Sequence, residues 1–157
     1  METMQALAEK FNLDELTQQL EDVVASKDPV GYMRNNINWE IDNDTDNDEN
    51  LMRIAGFMGA DLSFGKNYEA WNPIRKFLDW FSRNKVAKKV KRILCGIADE
   101  IKKLIDEKAQ LQRILTIALT AIATAIGIGA INPLLLTVLV GLLATMILKG
   151  VDAVCAV

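Results

Sequence analysis

Histidine is absent from the 157-residue sequence, which also holds only two cysteines and three prolines. Without imidazole, Ser-His-Asp and Cys-His catalysis and every zinc motif that uses histidine are excluded. The sequence also lacks the G-x-x-x-x-G-K-[ST] phosphate loop and the G-x-G-x-x-G dinucleotide fingerprint. These absences predict that the protein is not an enzyme, and no pattern indicates a cofactor.

The two cysteines and the N-terminus limit where the chain is expected to work. Cys95 and Cys155 are too few and too far apart in sequence to indicate a disulfide framework, so we expect reduced thiols. Cys95 is then expected to behave as a small apolar side chain. Charged residues interrupt the first ten positions and no apolar segment follows, so no signal peptide is predicted.

Charge is unevenly distributed along the chain. Residues 1–69 carry five Lys and Arg against fifteen Asp and Glu, a formal −10, whereas residues 70–157 carry thirteen against six, a formal +7. A basic half that leads into an apolar stretch is typical of a protein on an anionic lipid surface. We expect such a membrane as the partner and rank nucleic acid below it.

Residues 114–148 carry no charge over 35 positions. A run of about 18 or more apolar residues already indicates a membrane span. Asn132 and Pro133 interrupt the run, because a residue before proline is biased out of the α region. We therefore predict a transmembrane hairpin whose uncharged turn holds Asn132 and Pro133. Its two helices are predicted over residues 114–130 and 133–148.

Small and hydroxyl-bearing side chains recur every four residues within this hairpin. They allow close approach of helices in lipid, either within one hairpin or between copies whose threonines face a polar lumen. We list them as packing or lumen candidates: Thr116, Thr120, Thr124, Ala121, Ala125, Gly129, Gly141 and Thr145. Since no ionisable group lies in the hairpin, a proton relay has no candidate residue.

The N-terminal half reads as helices around an acidic loop. Apolar spacing predicts a helix over residues 3–26, with Asn12 capping a second segment; it is a surface helix or a docking helix for a partner. Residues 51–64 are interpreted as a core helix. The acidic loop near residues 40–50 is either solvated or a divalent-cation site. A cation site there would be weak, because the loop lacks the glycine of an EF-hand. Its candidate ligands are Asp42, Asp44, Asp46 and Asp48.

Residues 71–83 form an aromatic and apolar stripe with cations on other faces. Asn72 is predicted to cap this helix and Pro73 to begin it. The pattern is typical of a membrane-interface helix, but a core helix explains it equally well. The interface candidates are Trp71, Arg75, Lys76, Phe77, Trp80, Phe81 and, after the hairpin, Lys149. One long amphipathic helix, basic in its first half, is predicted over residues 84–113.

These observations predict an all-α fold in four parts. A small acidic helical domain (residues 1–70) is followed by basic amphipathic helices (71–113), the transmembrane helical hairpin (114–148) and a short tail (149–157). Charged amphipathic helices that lead into an uncharged C-terminal hairpin resemble the pore-forming domains of colicins. The chain also resembles small membrane-acting effectors of bacterial toxin or antiviral-defence systems, which combine a soluble sensor with hydrophobic segments.

The resulting hypothesis is a membrane-embedded effector that oligomerises and permeabilises or perturbs a membrane, gated by its N-terminal part. We expect a homo-oligomer in the bacterial inner membrane with both termini cytoplasmic. One alternative is a membrane-anchored adaptor or scaffold whose acidic N-terminal domain binds a protein partner. Another is a soluble helical bundle that buries the hydrophobic hairpin.

Overall fold

Helix is the secondary structure throughout the computed structural model, which describes residues 2–37 and 68–156. The predicted all-α class is therefore confirmed. The helices are α1 (Glu2–Lys10), α2 (Leu13–Ser26), α3 (Pro29–Asn36), α4 (Tyr68–Arg83), α5 (Lys85–Gly96), α6 (Ala98–Asp106), α7 (Leu111–Ile126), a short 3₁₀ turn (Ile128–Ala130), α8 (Pro133–Lys149) and α9 (Asp152–Cys155). The predicted acidic loop and the core helix at residues 51–64 lie outside the described residues.

Helices α2 and α3 each begin at a side-chain cap. Asn12 Oδ1 accepts a hydrogen bond from Glu15 N at 3.1 Å, which confirms the predicted start of α2. Asp28 caps α3 in the same way by accepting from Gly31 N at 3.0 Å. Because each cap satisfies an amide that has no partner within its helix, these residues separate α1, α2 and α3 at defined positions.

Two predicted helix boundaries are wrong. The helix over residues 84–113 is divided at Ile97, where φ is −116° and ψ is 25°, and α6 ends before Lys108, whose φ is +56°. The apolar spacing continues across this break, so periodicity alone missed it. Helix α4 begins at Tyr68, which places Pro73 in its second turn instead of at its first position. A proline there removes only one backbone hydrogen bond near the helix start.

Helix α8 lies at the centre of the protein. It packs most extensively against α2 and α3, and also against α5 and α9. Nine consecutive residues, 138–146, are buried, and Leu139 and Leu143 are both 0% exposed. Helix α7 packs against α1, α2 and α5 and buries one face only. The two hairpin helices thus bury their apolar surfaces mainly against earlier helices, with fewer contacts between each other.

One hydrophobic core joins the N-terminal helices to the hairpin. Leu20 of α2 and Met33 of α3, both 0% exposed, belong to the same buried cluster as Leu139 of α8. Burying such side chains contributes about 1.5–3 kcal/mol each. The N-terminal helices therefore shelter α8, and the described part of residues 1–70 is packed on the hairpin. The four-part division of the chain stays a prediction.

The predicted membrane location is wrong. Helices α7 and α8 have 16 and 17 residues, so each is roughly 24–26 Å long. Within residues 2–37 and 68–156, no helix combines the length and the apolar character needed to cross a bilayer. A transmembrane hairpin and a multi-pass protein of the bacterial inner membrane with both termini cytoplasmic are therefore not supported. The sequence pattern misled because contact with protein requires the same apolar side chains as contact with lipid.

Candidate functional site

The aromatic stripe of α4 lies inside the protein. Phe77 is 0% exposed and Trp80 and Phe81 are each 7% exposed, with the Phe77 ring centroid 5.9 Å from that of Trp80 and 5.8 Å from that of Phe81. These three interface candidates occupy core positions, which agrees with the alternative interpretation as a core helix. Of the other candidates, Lys76 is exposed and Arg75 is half-buried. Trp71 is placed only as a helical residue of α4, and Lys149 is exposed at the end of α8.

The outer side of α7 carries five of the packing or lumen candidates. We call this surface the threonine face, and it comprises Thr116, Thr120, Thr124, Ala121 and Ala125. Each threonine hydroxyl donates to the backbone carbonyl four residues earlier, at 2.7–2.8 Å. The threonines therefore satisfy their donors within the helix, and all five residues are half-buried or exposed.

The two candidates on α8 lie in the core instead. Thr145 is 0% exposed and donates to the carbonyl of Gly141 at 2.8 Å. A Cβ added at Gly141 would lie 2.4 Å from both Cγ and Sδ of Met33. Gly141 is thus the position where the absence of a side chain lets Met33 of α3 pack directly against the backbone of α8.

A cleft of about 760 Å³ runs along part of the threonine face. Its apolar lining includes Leu13, Ile97 and Ile117, and it is charged at Glu100 and Arg113. Thr116, Thr120 and Ala121 also line it. The volume lies within the range of about 300–1,000 Å³ that is usual for ligand pockets. No sequence pattern predicted this cleft, because α2, α6 and α7 meet there only in the folded chain.

The turn between α7 and α8 is exposed and held by two interactions. Pro133 begins α8, as the sequence predicts. Asn132 Oδ1 accepts a hydrogen bond from Leu135 N at 2.9 Å. Lys10 Nζ of α1 donates to the carbonyl of Ile128 at 2.8 Å. Gly129, the remaining candidate in this region, is exposed in the 3₁₀ turn. The turn is therefore fixed both by its own cap and by the N-terminal helix.

Helix α5 presents a face of exposed positive charge. Four exposed cations, Lys85, Lys88, Lys89 and Arg92, recur at spacings of three, one and three residues, which places them on one helix face. We call them the cationic stripe. The opposite side of α5 is buried at Ala87, Val90 and Leu94. The sequence predicted the concentration of positive charge in this region but not which of the cations are exposed.

Lys91 differs from its four neighbours because it is only half exposed. Burial lowers the pKa of its ammonium group. The other buried charge of this region is Asp79, 2% exposed, which accepts a hydrogen bond from Arg83 within an ion pair. Both groups belong to the packing of α4 and α5, so the exposed stripe is the part available to a partner.

A disulfide joins Cys95 to Cys155, whose Cα atoms are 5.6 Å apart at a sequence separation of 60. The expected reduced thiols are therefore wrong. Their pairing depends on the short helix α9, which folds back after Gly150 and packs on both α5 and α8. A separation of 60 residues gives no sequence signal for this proximity, which arises only from the fold.

The acidic candidates Asp42, Asp44, Asp46 and Asp48 lie outside the described residues. In the part of the chain that the structure describes, no three metal-ligating side chains come together. The arrangement that remains is a cationic stripe, a threonine face with its cleft, and a disulfide near one end of α8. No known protein family, curated protein or solved structure matches the chain.

Proposed function

We propose that the protein is a helical effector that docks on anionic lipid headgroups through the cationic stripe. The observation that carries this proposal is the exposure of four cations on one face of α5, while its opposite face is buried. Lys and Arg side chains on the outer face of an amphipathic helix are the groups that anionic headgroups attract.

The strength of this attraction determines the mode of binding. Each cation near an anionic surface contributes about 1 kcal/mol, so four contribute roughly 4 kcal/mol. That free energy corresponds to a dissociation constant of about 1 mM. Docking through the stripe is therefore reversible and salt-sensitive, because exposed charges are screened over a Debye length of about 8 Å at physiological ionic strength.

The helices behind the stripe supply the effector part of the proposal. Helix α5 packs on both α7 and α8, so docking through α5 brings these two largely apolar helices close to the lipid surface. Amphipathic charged helices beside an uncharged hairpin are also the layout that resembles the pore-forming domains of colicins. The proposal requires perturbation of the bilayer surface and no helix that crosses it.

Co-sedimentation with vesicles tests the docking. The wild-type protein is expected to pellet with phosphatidylglycerol-containing vesicles at low salt and to remain in the supernatant at high salt or with phosphatidylcholine alone. Combining Lys85→Gln, Lys88→Gln, Lys89→Gln and Arg92→Gln should abolish pelleting.

A control with the same change in net charge is available on other exposed positions, which are Lys27, Lys102, Lys103 and Lys108. Their replacement by Gln should leave most of the binding intact. Equal loss in both quadruple variants, or binding to duplex DNA without binding to vesicles, contradicts the proposal.

Leakage of an entrapped dye tests the perturbation separately. Vesicles that bind the protein are expected to release dye in proportion to bound protein. Binding without any leakage at high protein loading would show that the stripe only attaches the protein to the surface, and the effector role would be lost.

A second candidate function, a self-assembling scaffold, is favoured by the cleft. Its opposite charges, Glu100 and Arg113, are self-complementary across a two-fold axis, where each copy offers both partners. The apolar residue Ile117 also lines the cleft and would be covered by the second copy.

Sedimentation equilibrium tests this scaffold. Arg113→Glu should weaken self-association, and the swapped pair Glu100→Arg with Arg113→Glu should restore it. A wild-type chain that stays monomeric at high concentration rules the scaffold out.

A further inference from the structure

The C-terminal end of α8 is covered by a short strap. Gly150 ends α8 with φ at +96°, a conformation that separates the following helix from α8. Helix α9 then packs on α8 and α5 and buries Val151 and Val154. We call residues 150–156 the strap. Its buried apolar side chains are Val151, Ala153 and Val154.

The disulfide attaches this strap to α5. Cys155 lies near the end of the strap and Cys95 in the last turn of α5, three residues after Arg92 of the cationic stripe. Both cysteines are half-buried, so neither belongs to the fully buried core. The bond closes a covalent ring that contains α6, α7 and α8. The apolar hairpin is thus part of this ring, and the bond that closes the ring lies on α5, which also carries the cationic stripe.

We infer that this disulfide is a redox latch that keeps the strap closed over α8. Disulfides form and persist in oxidising compartments, where the latch stays shut. A dithiol reductant opens it: one thiolate attacks a sulfur of the bond and releases the other cysteine as a thiolate. The second thiol of the reductant then displaces the first cysteine. Both protein thiols end reduced, and the reductant ends as a disulfide.

Opening the latch frees the strap to turn at Gly150. The part of α8 on which α9 packs then loses this covering close to α5, which carries the cationic stripe. This consequence for the lipid surface rests on the proposed function, whereas the latch itself does not. Reduction is expected to increase dye leakage from anionic vesicles after the protein has docked.

Hydrogen exchange of the full chain, with and without tris(2-carboxyethyl)phosphine, tests the latch. Amides of residues 143–156 should exchange at least about tenfold faster after reduction, because local opening raises exchange where protection is lost. Amides of α2 should be unchanged. The variant Cys95→Ser with Cys155→Ser should show the fast pattern in both conditions, which separates the disulfide from other effects of the reductant.

Three results overturn the inference. The first is alkylation of both cysteines in the oxidised protein without prior reduction. The second is exchange that reduction leaves unchanged at residues 143–156. The third is an equal acceleration of amide exchange in α2, which would show that the disulfide stabilises the whole fold and not the strap alone. Failure to bind any vesicle contradicts the proposed function alone, since the exchange measurement needs no lipid.

Discussion

Helices α7 and α8 have nearly the same length and each carries a single cation near one end, yet they lie in different environments. The buried residues of α7 follow a helical period and form one face, whereas those of α8 include nine consecutive positions. The difference lies in the threonines and alanines that α7 places outward. The hydropathy of the two segments predicts both helices. Only the positions of the threonines and alanines show which helix reaches solvent.

A charged substitution should separate the two helices most strongly. Leu139→Asp places a carboxylate at a position that is 0% exposed, so it should lower the free energy of unfolding by more than about 4 kcal/mol. The matched change Ala125→Asp lies on the exposed threonine face of α7 and should alter it by less than about 1 kcal/mol. Urea denaturation followed by circular dichroism measures both, and equal losses would contradict the comparison.

A single methyl group should also distinguish the hairpin's glycines. Gly141→Ala brings a Cβ to 2.4 Å from the buried Met33 side chain and should destabilise the protein by about 1–3 kcal/mol. Gly129→Ala meets no atom within 4 Å, so its effect should be near zero. Thermal unfolding of the two variants tests the contrast. A stable Gly141→Ala variant would show that α3 has room to move away from α8.

The N-terminal caps of the two helices should differ by a smaller amount. Asn132→Ala removes the side-chain acceptor for Leu135 N and should lower the free energy of unfolding by about 1 kcal/mol. Gln110, at the equivalent position of α7, makes no such side-chain cap, so Gln110→Ala should have little effect. Equal urea midpoints for the two variants would mean that the Asn132 cap does not stabilise α8.

The smallest expected effect concerns Tyr32, which packs beside α8. Burial raises the pKa of its phenol, and a hydrogen bond with Thr137 of α8 partly offsets this. Because the folded-state pKa lies above the unfolded value of about 10, this contribution to stability is present below pH 10 and is lost as pH rises through the folded pKa. Tyr32→Phe, which also loses a hydrogen bond to Gln19, should cost about 1 kcal/mol near neutral pH.

Urea titrations at pH 8 and pH 11 measure this dependence. The wild-type protein should lose more stability between the two values than Tyr32→Phe does. The same loss in both proteins would assign the alkaline sensitivity to other groups.

Local signals in the sequence predicted the parts of the fold that depend on neighbouring residues. Asn12 caps α2 where the sequence places it, because capping needs only an acceptor a few residues before the amide, and Pro133 begins α8 at the predicted position. The enclosure of α8 was predicted only as an alternative, because an apolar surface does not specify whether lipid or protein will cover it. The disulfide and the cleft were missed because their components are distant in sequence and meet only through folding.

The bond between Cys95 and Cys155 also determines the shape of the denatured chain. Until it is reduced, the unfolded protein keeps a closed loop between Cys95 and Cys155. The residues before Cys95 form a linear segment attached to this loop, which we call the tail. A single tryptic cut after Lys102, within the loop, opens the circle without releasing a fragment. A cut in the tail separates two pieces at once, so digestion patterns on non-reducing gels report which part of the chain was cleaved.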